Sequence, residues 1–247
     1  MNATVTQDEL TEMSPRAKAR LAGGLYLLTM LLGGFAQGVV SDRLVVIGDA
    51  AATATNIAAH SSLYRLGFAA YLVEMACQIA MTALFYDLLK PVSKSVSRLT
   101  AIFGLVGCTI KIVSRLFFIS PLLVLGGAQY LSVFSAEQLQ ALGLLLLRMN
   151  YRGETITMVF FGIYAILLGY LIIRSGFLPR FLGVFSVVGG VGWLTYLHEP
   201  FAASVAPIVL GVSAVGALLK VVWLIVFGVN EDRWKARAIA AETSIWR

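Results

Sequence analysis

The chain has 247 residues, of which 59% are hydrophobic and only 13% are charged. Soluble domains carry about 25% charged residues, so this composition excludes an ordinary soluble protein and indicates a multi-pass helical membrane protein. The formal net charge of +6 comes from Lys and Arg scattered between apolar runs, without the basic and aromatic stripe that is typical of nucleic-acid binding.

The predicted elements begin with a polar N-terminal tail over residues 1–19, which lacks the basic-then-apolar order of a cleaved secretory signal. Six apolar runs follow, each long enough for a helix to cross a hydrocarbon core about 30 Å thick. A polar tail over residues 230–247 ends a chain that we treat as one transmembrane domain, 1–247. The runs cover residues 20–40, 63–89, 99–125, 154–174, 181–198 and 203–228.

Two segments between the runs are more than simple loops. Residues 48–65 are rich in alanine, and Asp49 is the predicted cap of a short helix. Residues 135–150 begin with Ser135 as a predicted cap and continue with about a dozen mostly apolar residues, too few to span a bilayer. This second segment is either an interfacial or re-entrant helix, or it continues into the next span as one long rod.

The distribution of positive charge predicts the orientation of the spans. Eleven Lys and Arg residues lie near the span ends on the side of both termini, against four on the other side. Because cytoplasmic loops carry the excess of Lys and Arg, both termini are expected in the cytoplasm. The expected fold class is therefore all-α: a polytopic membrane bundle of about six transmembrane helices, plus one outer interfacial or re-entrant helix.

Two charges, Lys111 and Arg115, lie inside the third apolar run, where each costs about 2.5–3.5 kcal/mol to insert. The short link KPVSKSVSR joins the second and third runs, which predicts an antiparallel helical hairpin. Centring its turn near residues 92–93 sets Glu74 opposite Lys111, and Arg115 lies one turn away on the same face. We expect an intramembrane ion pair or triad of Glu74, Lys111 and Arg115 near the bilayer middle, with Gln78 beside it.

Other polar residues have simpler interpretations as well as functional ones. Lys220 lies in the last run and is expected to extend toward the cytoplasmic interface, or to add a third cation to the buried site. Arg148, Arg152 and Glu154 cluster at the outer mouth as interface anchors or as an entry site. The hairpin register also sets Cys77 near Cys108 and Asp87 near Arg98, with Lys90 as another partner for Asp87. The sequence predicts no metal site and no cofactor, because it lacks clustered ligands and known motifs.

The sequence leaves three classes of function open. The first is a transporter, channel or solute-binding membrane protein in which the excess positive charge at Glu74, Lys111 and Arg115 holds a small anionic solute. The second is a structural or accessory protein in which those charges only fix helix packing. The third is an intramembrane enzyme, which is disfavoured because no grouping of nucleophile, base and electrophile is visible. In every case the lipid bilayer is the expected partner, and nucleic acid is not.

Several stretches together resemble a bacterial group of multi-pass membrane proteins, the domain-of-unknown-function 4386 family. The resemblance runs over nearly the whole chain, and it implies a helical protein of the bacterial cytoplasmic membrane with no established activity, substrate or catalytic residue. The stretches that carry it are LAGGLYLLTMLLGGFAQ (21–37), RLVVIGDAAATATNI (43–57), YRLGFAAYLVE (64–74), LLKPVSKS (88–95), FSAEQLQAL (134–142), VFFGIYAILLGYLIIRSGFLPRFLGV (159–184) and FGVNEDRWK (227–235).

Overall fold

A computed structural model describes residues 13–243 of the chain, and within that range it is built from helices and contains no strand. Six of these helices, or runs of joined helices, are long and apolar enough to cross a membrane, which confirms the predicted number of spans. The eight main helices are α1 (Pro15–Gly34), α2 (Ala50–Ala59), α3 (Ser61–Leu89), α4 (Lys94–Ile119), α5 (Ala136–Ser175), α6 (Arg180–Leu194), α7 (Glu199–Val226) and α8 (Glu231–Thr243).

Helix ends follow local sequence signals. The side chains of Ser14, Asp49 and Ser93 accept hydrogen bonds from backbone N–H groups in the first turns of α1, α2 and α4. Ser135 forms a capping box with Gln138 at the start of α5, so both predicted caps of the outer segments, Asp49 and Ser135, are confirmed. Gly176 ends α5 in the left-handed conformation that glycine adopts without strain.

The first span does not end at Gly34. It continues through a π-helical segment, Phe35–Ser41, and one α-helical turn, Asp42–Leu44, to give a single span Pro15–Leu44. A π-helical segment carries more residues per turn and is often found at functional sites. Because α1 begins at Pro15, the last residues of the predicted polar tail are already helical, while residues 1–12 lie outside the described part.

The six spans form a closed ring. Helix α1 packs against α3 and α7, α4 packs against α3 and α5, and α6 packs against α5 and α7. The short helix α2 packs on α5 at one end of the ring, called the α2 end below. At the opposite end, the α8 end, the Trp234 indole donates a hydrogen bond to the Leu88 carbonyl. A ring of six helices leaves an interior that every span borders.

The segment 135–150 is not a separate interfacial or re-entrant helix. It is continuous with the following span in α5, which runs for 40 residues, so the third of the interpretations left open by the sequence is the correct one. The helix packs against α2 and against the short helix Pro121–Val124, with Leu147 of this segment buried while Leu145 and Met149 stay exposed. The helical conformation continues because no Gly or Pro after Ser135 interrupts it strongly enough to end it.

Helices α5 and α6 meet along a seam of paired glycines. A Cβ atom added at Gly183 would lie 2.6 Å from the Gly169 carbonyl oxygen, and one added at Gly190 would lie 2.6 Å from the Gly162 carbonyl oxygen. Glycines along this seam let the two backbones approach closely. The GxxxG pair Gly34 and Gly38 is different, because a Cβ there would meet nothing within 4 Å, so these glycines make no close helix contact within the described chain.

Adding a methyl group to this seam should destabilise the bundle. We expect Gly183→Ala to lower the free energy of unfolding by about 1–3 kcal/mol, since two backbones must separate to admit the Cβ. Thermal unfolding of the detergent-solubilised protein measures the change. The matched control is Gly24→Ala, where a Cβ meets open space; an equal loss in both variants would contradict the seam.

Candidate functional site

A cavity of about 330 Å³ lies inside the ring. All six spans contribute to it, so no hairpin forms it alone. Its wall is mainly apolar and aromatic, with Phe85, Phe161 and Leu168 among the lining residues. Its polar members are few and lie at different depths: Tyr26 and Thr29 from α1, Glu74 and Gln78 from α3, Lys111 from α4, Tyr164 from α5 and Lys220 from α7.

Glu74 and Lys111 form a buried ion pair on the wall of this cavity. The Lys111 Nζ donates a hydrogen bond to Glu74 Oε1 at 2.7 Å, as the α3–α4 hairpin register predicts. The second carboxylate oxygen, Oε2, is buried and has no hydrogen-bond partner among the described residues. Gly33 of α1 makes room for this carboxylate, because a Cβ at Gly33 would lie 3.1 Å from Glu74 Oε1.

Lys220 brings a second cation to the same cavity. Its side chain is buried, at 7% exposure, and its Nζ lies 5.4 Å from the centre of the Tyr26 ring. No carboxylate pairs with it among residues 13–243. The expectation that Lys220 extends to the interface is therefore wrong, and its alternative role as an added cation fits. With Glu74 matched by Lys111, the cavity carries one positive charge in excess.

Arg115 does not complete a triad with Glu74. It is 1% exposed, and its Nη1 donates hydrogen bonds to the Glu154 carboxylate and, at 3.2 Å, to Asn150 Oδ1. Its guanidinium also lies over the Tyr71 ring, with the Cζ 3.5 Å from the ring centre. The predicted triad is wrong in this part because Arg115 turns toward α5, whose polar residues were assigned to a mouth outside the membrane.

The predicted outer-mouth residues border a second cavity of about 720 Å³ at the α2 end. Arg148, Arg152 and Glu154 all line it, which brings them together as predicted. Their partners differ: Glu154 points inward to Arg115, while Arg152 pairs with Glu199 at the surface. Asp42, from the turn after the π-helical segment, adds a carboxylate to the same cavity.

The sequence reasoning missed a chain of hydrogen bonds beside the end cavity, made by Tyr71, Gln37 and Asp42. The Tyr71 hydroxyl donates to Gln37 Oε1 at 2.8 Å, and Gln37 Nε2 donates to Asp42 Oδ1 at 2.8 Å.

A usable signal existed for Asn150 and Glu154, because they lie one turn apart on α5. Where α4 faces α5, the two residue numbers of each contact average about 134, just before the Ser135 cap. The hairpin argument applied to α4 and α5 therefore sets Glu154 opposite Arg115, as observed.

Metal and thiol chemistry find no support in the described part of the chain. No group of three or more His, Cys, Asp or Glu side chains there is placed to hold a metal ion. Cys77 and Cys108 are both buried and free. Asp87 pairs with Lys90 at 3.0 Å and with Lys18 at 3.7 Å, rather than with Arg98.

A ring of six apolar spans around an interior cavity defines a multi-pass helical membrane protein. The family model described as domain of unknown function (DUF4386) matches residues 21–228, and the chain belongs to that family. Its description assigns no activity, so the family supports the membrane architecture and leaves the role of the cavity open. No curated protein and no solved structure matches the chain.

Proposed function

We propose that this protein binds a small solute in the cavity inside the ring, and that the solute carries one negative charge on a mainly apolar body. The bacterial cytoplasmic membrane is its proposed location, with both termini in the cytoplasm. The observation that carries the proposal is the buried Lys220, a cation without a carboxylate partner among the described residues, on the wall of the cavity inside the ring.

Charge is the first line of support. An ionisable side chain within a span is costly and normally pairs or faces a water-filled space. Lys111 has Glu74 at 2.7 Å, whereas Lys220 has only the face of the Tyr26 ring at 5.4 Å. An anionic group beside Lys220 would balance the cavity, since two lysines face one glutamate there. A carboxylate suits the site because the ammonium group of Lys220 has three N–H donors and can bind a carboxylate in many orientations.

Shape and lining are the second line of support. Ligand pockets are concave and mainly apolar, with a few polar groups that fix orientation, and usually have volumes of about 300–1,000 Å³. The cavity, at about 330 Å³, is at the small end of that range. Its aromatic and thioether side chains would contact an apolar body. Among these are Met30, Met81, Phe85, Met158, Phe161 and Trp193.

A purely structural role explains less of the site. Glu74 and Lys111 alone are compatible with fixing the α3–α4 register, because each charge has an opposite charge beside it. Lys220 has no such partner, and helix packing gains nothing from an unpaired buried ammonium group. An enzymatic role has no grouping of nucleophile and base around the cavity to support it.

The proposal predicts that Lys220→Met abolishes binding of small aromatic carboxylates without unfolding the protein. Benzoate, phenylacetate and 4-phenylbutyrate are the probes, and their neutral amides are the comparison ligands. We expect at least one carboxylate to raise the apparent melting temperature of the purified protein in nanodiscs and to bind in equilibrium dialysis. Lys220→Met should weaken that binding at least tenfold, because the charge that holds the anion is lost.

The matched control is Lys235→Met, which removes one positive charge from the exposed surface of α8. It should bind the carboxylates as the native protein does. Binding that persists in Lys220→Met, or equal binding of carboxylates and amides, would show that Lys220 does not select an anion. A Lys220→Met variant that is more stable than the native protein but binds nothing would agree with a site that sacrifices stability for binding.

A further inference from the structure

The two cavities follow one another along the same three spans. On α1 and its continuation, Gly33 and Gly34 line the cavity inside the ring, and Gln37 and Ser41 line the cavity at the α2 end. On α4 the order is Lys111 and then Phe118. On α5, read from the α2 end, the end cavity is lined as far as Glu154, and the inner cavity begins at Met158. The two spaces are therefore stacked along the axis of the ring.

The gap between them is thin. The residues that border it are three steps apart on α1, seven on α4 and four on α5, which at a rise of about 1.5 Å per residue is roughly 5–10 Å. A gap of that size is filled by a single layer of side chains. Tyr71, one turn from Glu74 toward the α2 end, and Arg115, one turn from Lys111, are the large buried residues of this layer.

Side chains alone hold this layer together. The Arg115 guanidinium lies on Tyr71 and binds Glu154 and Asn150, while the Tyr71 hydroxyl binds Gln37. These contacts join α1, α3, α4 and α5 without any backbone crossing the axis. The Arg115 Nε is buried without a hydrogen-bond partner, so the closed layer leaves one donor unsatisfied.

We propose that the two cavities are successive parts of one solute pathway through the ring, and that the layer of Tyr71 and Arg115 is its closed barrier. The protein then moves its solute across the membrane rather than only holding it. The cavity at the α2 end is the vestibule, in which Arg148 is the cation left without a carboxylate partner among the described residues, since Arg152 pairs with Glu199 and Glu154 with Arg115. This inference rests on the proposed binding function, because a pathway requires that the inner cavity accept a solute.

Cysteine accessibility tests the barrier without knowledge of the natural solute. In a background of Cys77→Ala and Cys108→Ala, one cysteine is introduced either as Leu144→Cys, in the vestibule, or as Met158→Cys, in the inner cavity. Both positions lie on α5, roughly 21 Å apart along the helix. The probe is sulfonatoethyl methanethiosulfonate, an anionic thiol reagent that does not cross lipid, added to sealed vesicles of each orientation.

With the native barrier, the reagent should modify Leu144→Cys from the α2 end and should modify Met158→Cys at least tenfold more slowly from that end. Two barrier variants are then compared: Tyr71→Ala, which removes the ring under Arg115, and the neutral pair Arg115→Met with Glu154→Gln. In either variant, modification of Met158→Cys from the α2 end should become at least tenfold faster. The rate at Leu144→Cys should stay within about twofold, because the vestibule is already open to water.

Two results would overturn the inference. One is fast modification of Met158→Cys from the α2 end in the native protein, which would mean that no barrier separates the cavities. The other is an unchanged slow rate in a folded barrier variant, which would mean that the cavities do not join there. Using two chemically different variants protects the test against one that fails to fold. If carboxylates still bind through Lys220 while the rates do not change, the pathway fails and the binding function stands.

Discussion

Replacing Lys111 with Met should destabilise the protein by about 3–5 kcal/mol, whereas replacing Lys111 with Met and Glu74 with Gln together should cost much less. The single change leaves the Glu74 carboxylate buried, at 6% exposure, with neither of its oxygens bound to a cation. The double change removes both charges and keeps two side chains of similar size. Thermal or denaturant unfolding of the four proteins gives the coupling energy of the pair.

The size of that coupling energy shows whether Glu74 and Lys111 interact directly. Residues in direct contact usually couple by about 0.5–3 kcal/mol, while independent sites add within about 0.5 kcal/mol. A matched pair is Lys90→Met with Asp87→Asn, an ion pair of similar separation in which both side chains are partly exposed. Coupling in the Glu74–Lys111 pair no larger than in this surface pair would contradict a buried charge pair.

Arg115→Ala should be the most destabilising single change among the polar residues, at about 3–5 kcal/mol. It removes a fully buried guanidinium, leaves Glu154 without its cationic partner, and takes away the group that covers one face of Tyr71. Arg115→Lys should recover only part of this loss, because an ammonium group cannot stack on the ring and bind two partners in a plane. The stabilities of the variants are ranked by the fraction of each protein that remains monodisperse after heating.

The control for Arg115 is Arg152, which also pairs with a glutamate but is exposed. Its side chain is 65% exposed and its partner Glu199 is 39% exposed. Exposed ion pairs contribute about 0–1 kcal/mol, so Arg152→Ala should change the melting temperature little. Similar losses for Arg115→Ala and Arg152→Ala would show that burial does not set the cost, contrary to the contacts described for Arg115.

Much of the fold could be predicted from the sequence because the signals are local. Each span is an apolar run, and the serine and aspartate caps fix where several helices begin. The length of α5 could not be fixed in the same way. Residues 135–150 have the composition of an interfacial helix, and their packing against α2 and the Pro121–Val124 helix is a tertiary contact that the local sequence does not show.

In the candidate site, too, the contact set by local sequence could be predicted and the one set by tertiary packing could not. The Glu74–Lys111 contact could be predicted because the link between α3 and α4 is short, only residues 90–93, and so holds the two helices in one antiparallel register. Lys220 could not be assigned, because its side chain reaches a cavity that exists only once α7 closes the ring against α1. Closure of a ring is a property of six crossing angles together, and no single span encodes it.

The length of α5 has a consequence for where the bilayer meets the protein. Its 40 residues extend roughly 60 Å, about twice the thickness of a hydrocarbon core. If its C-terminal half crosses the core, its N-terminal half stands among headgroups and water, and Glu154 lies near the boundary. The Arg115–Glu154 pair then lies at the boundary between the hydrocarbon core and the headgroups rather than at the middle of the membrane. On the proposed pathway, a solute would then enter the vestibule at the level of the headgroups rather than within the hydrocarbon core.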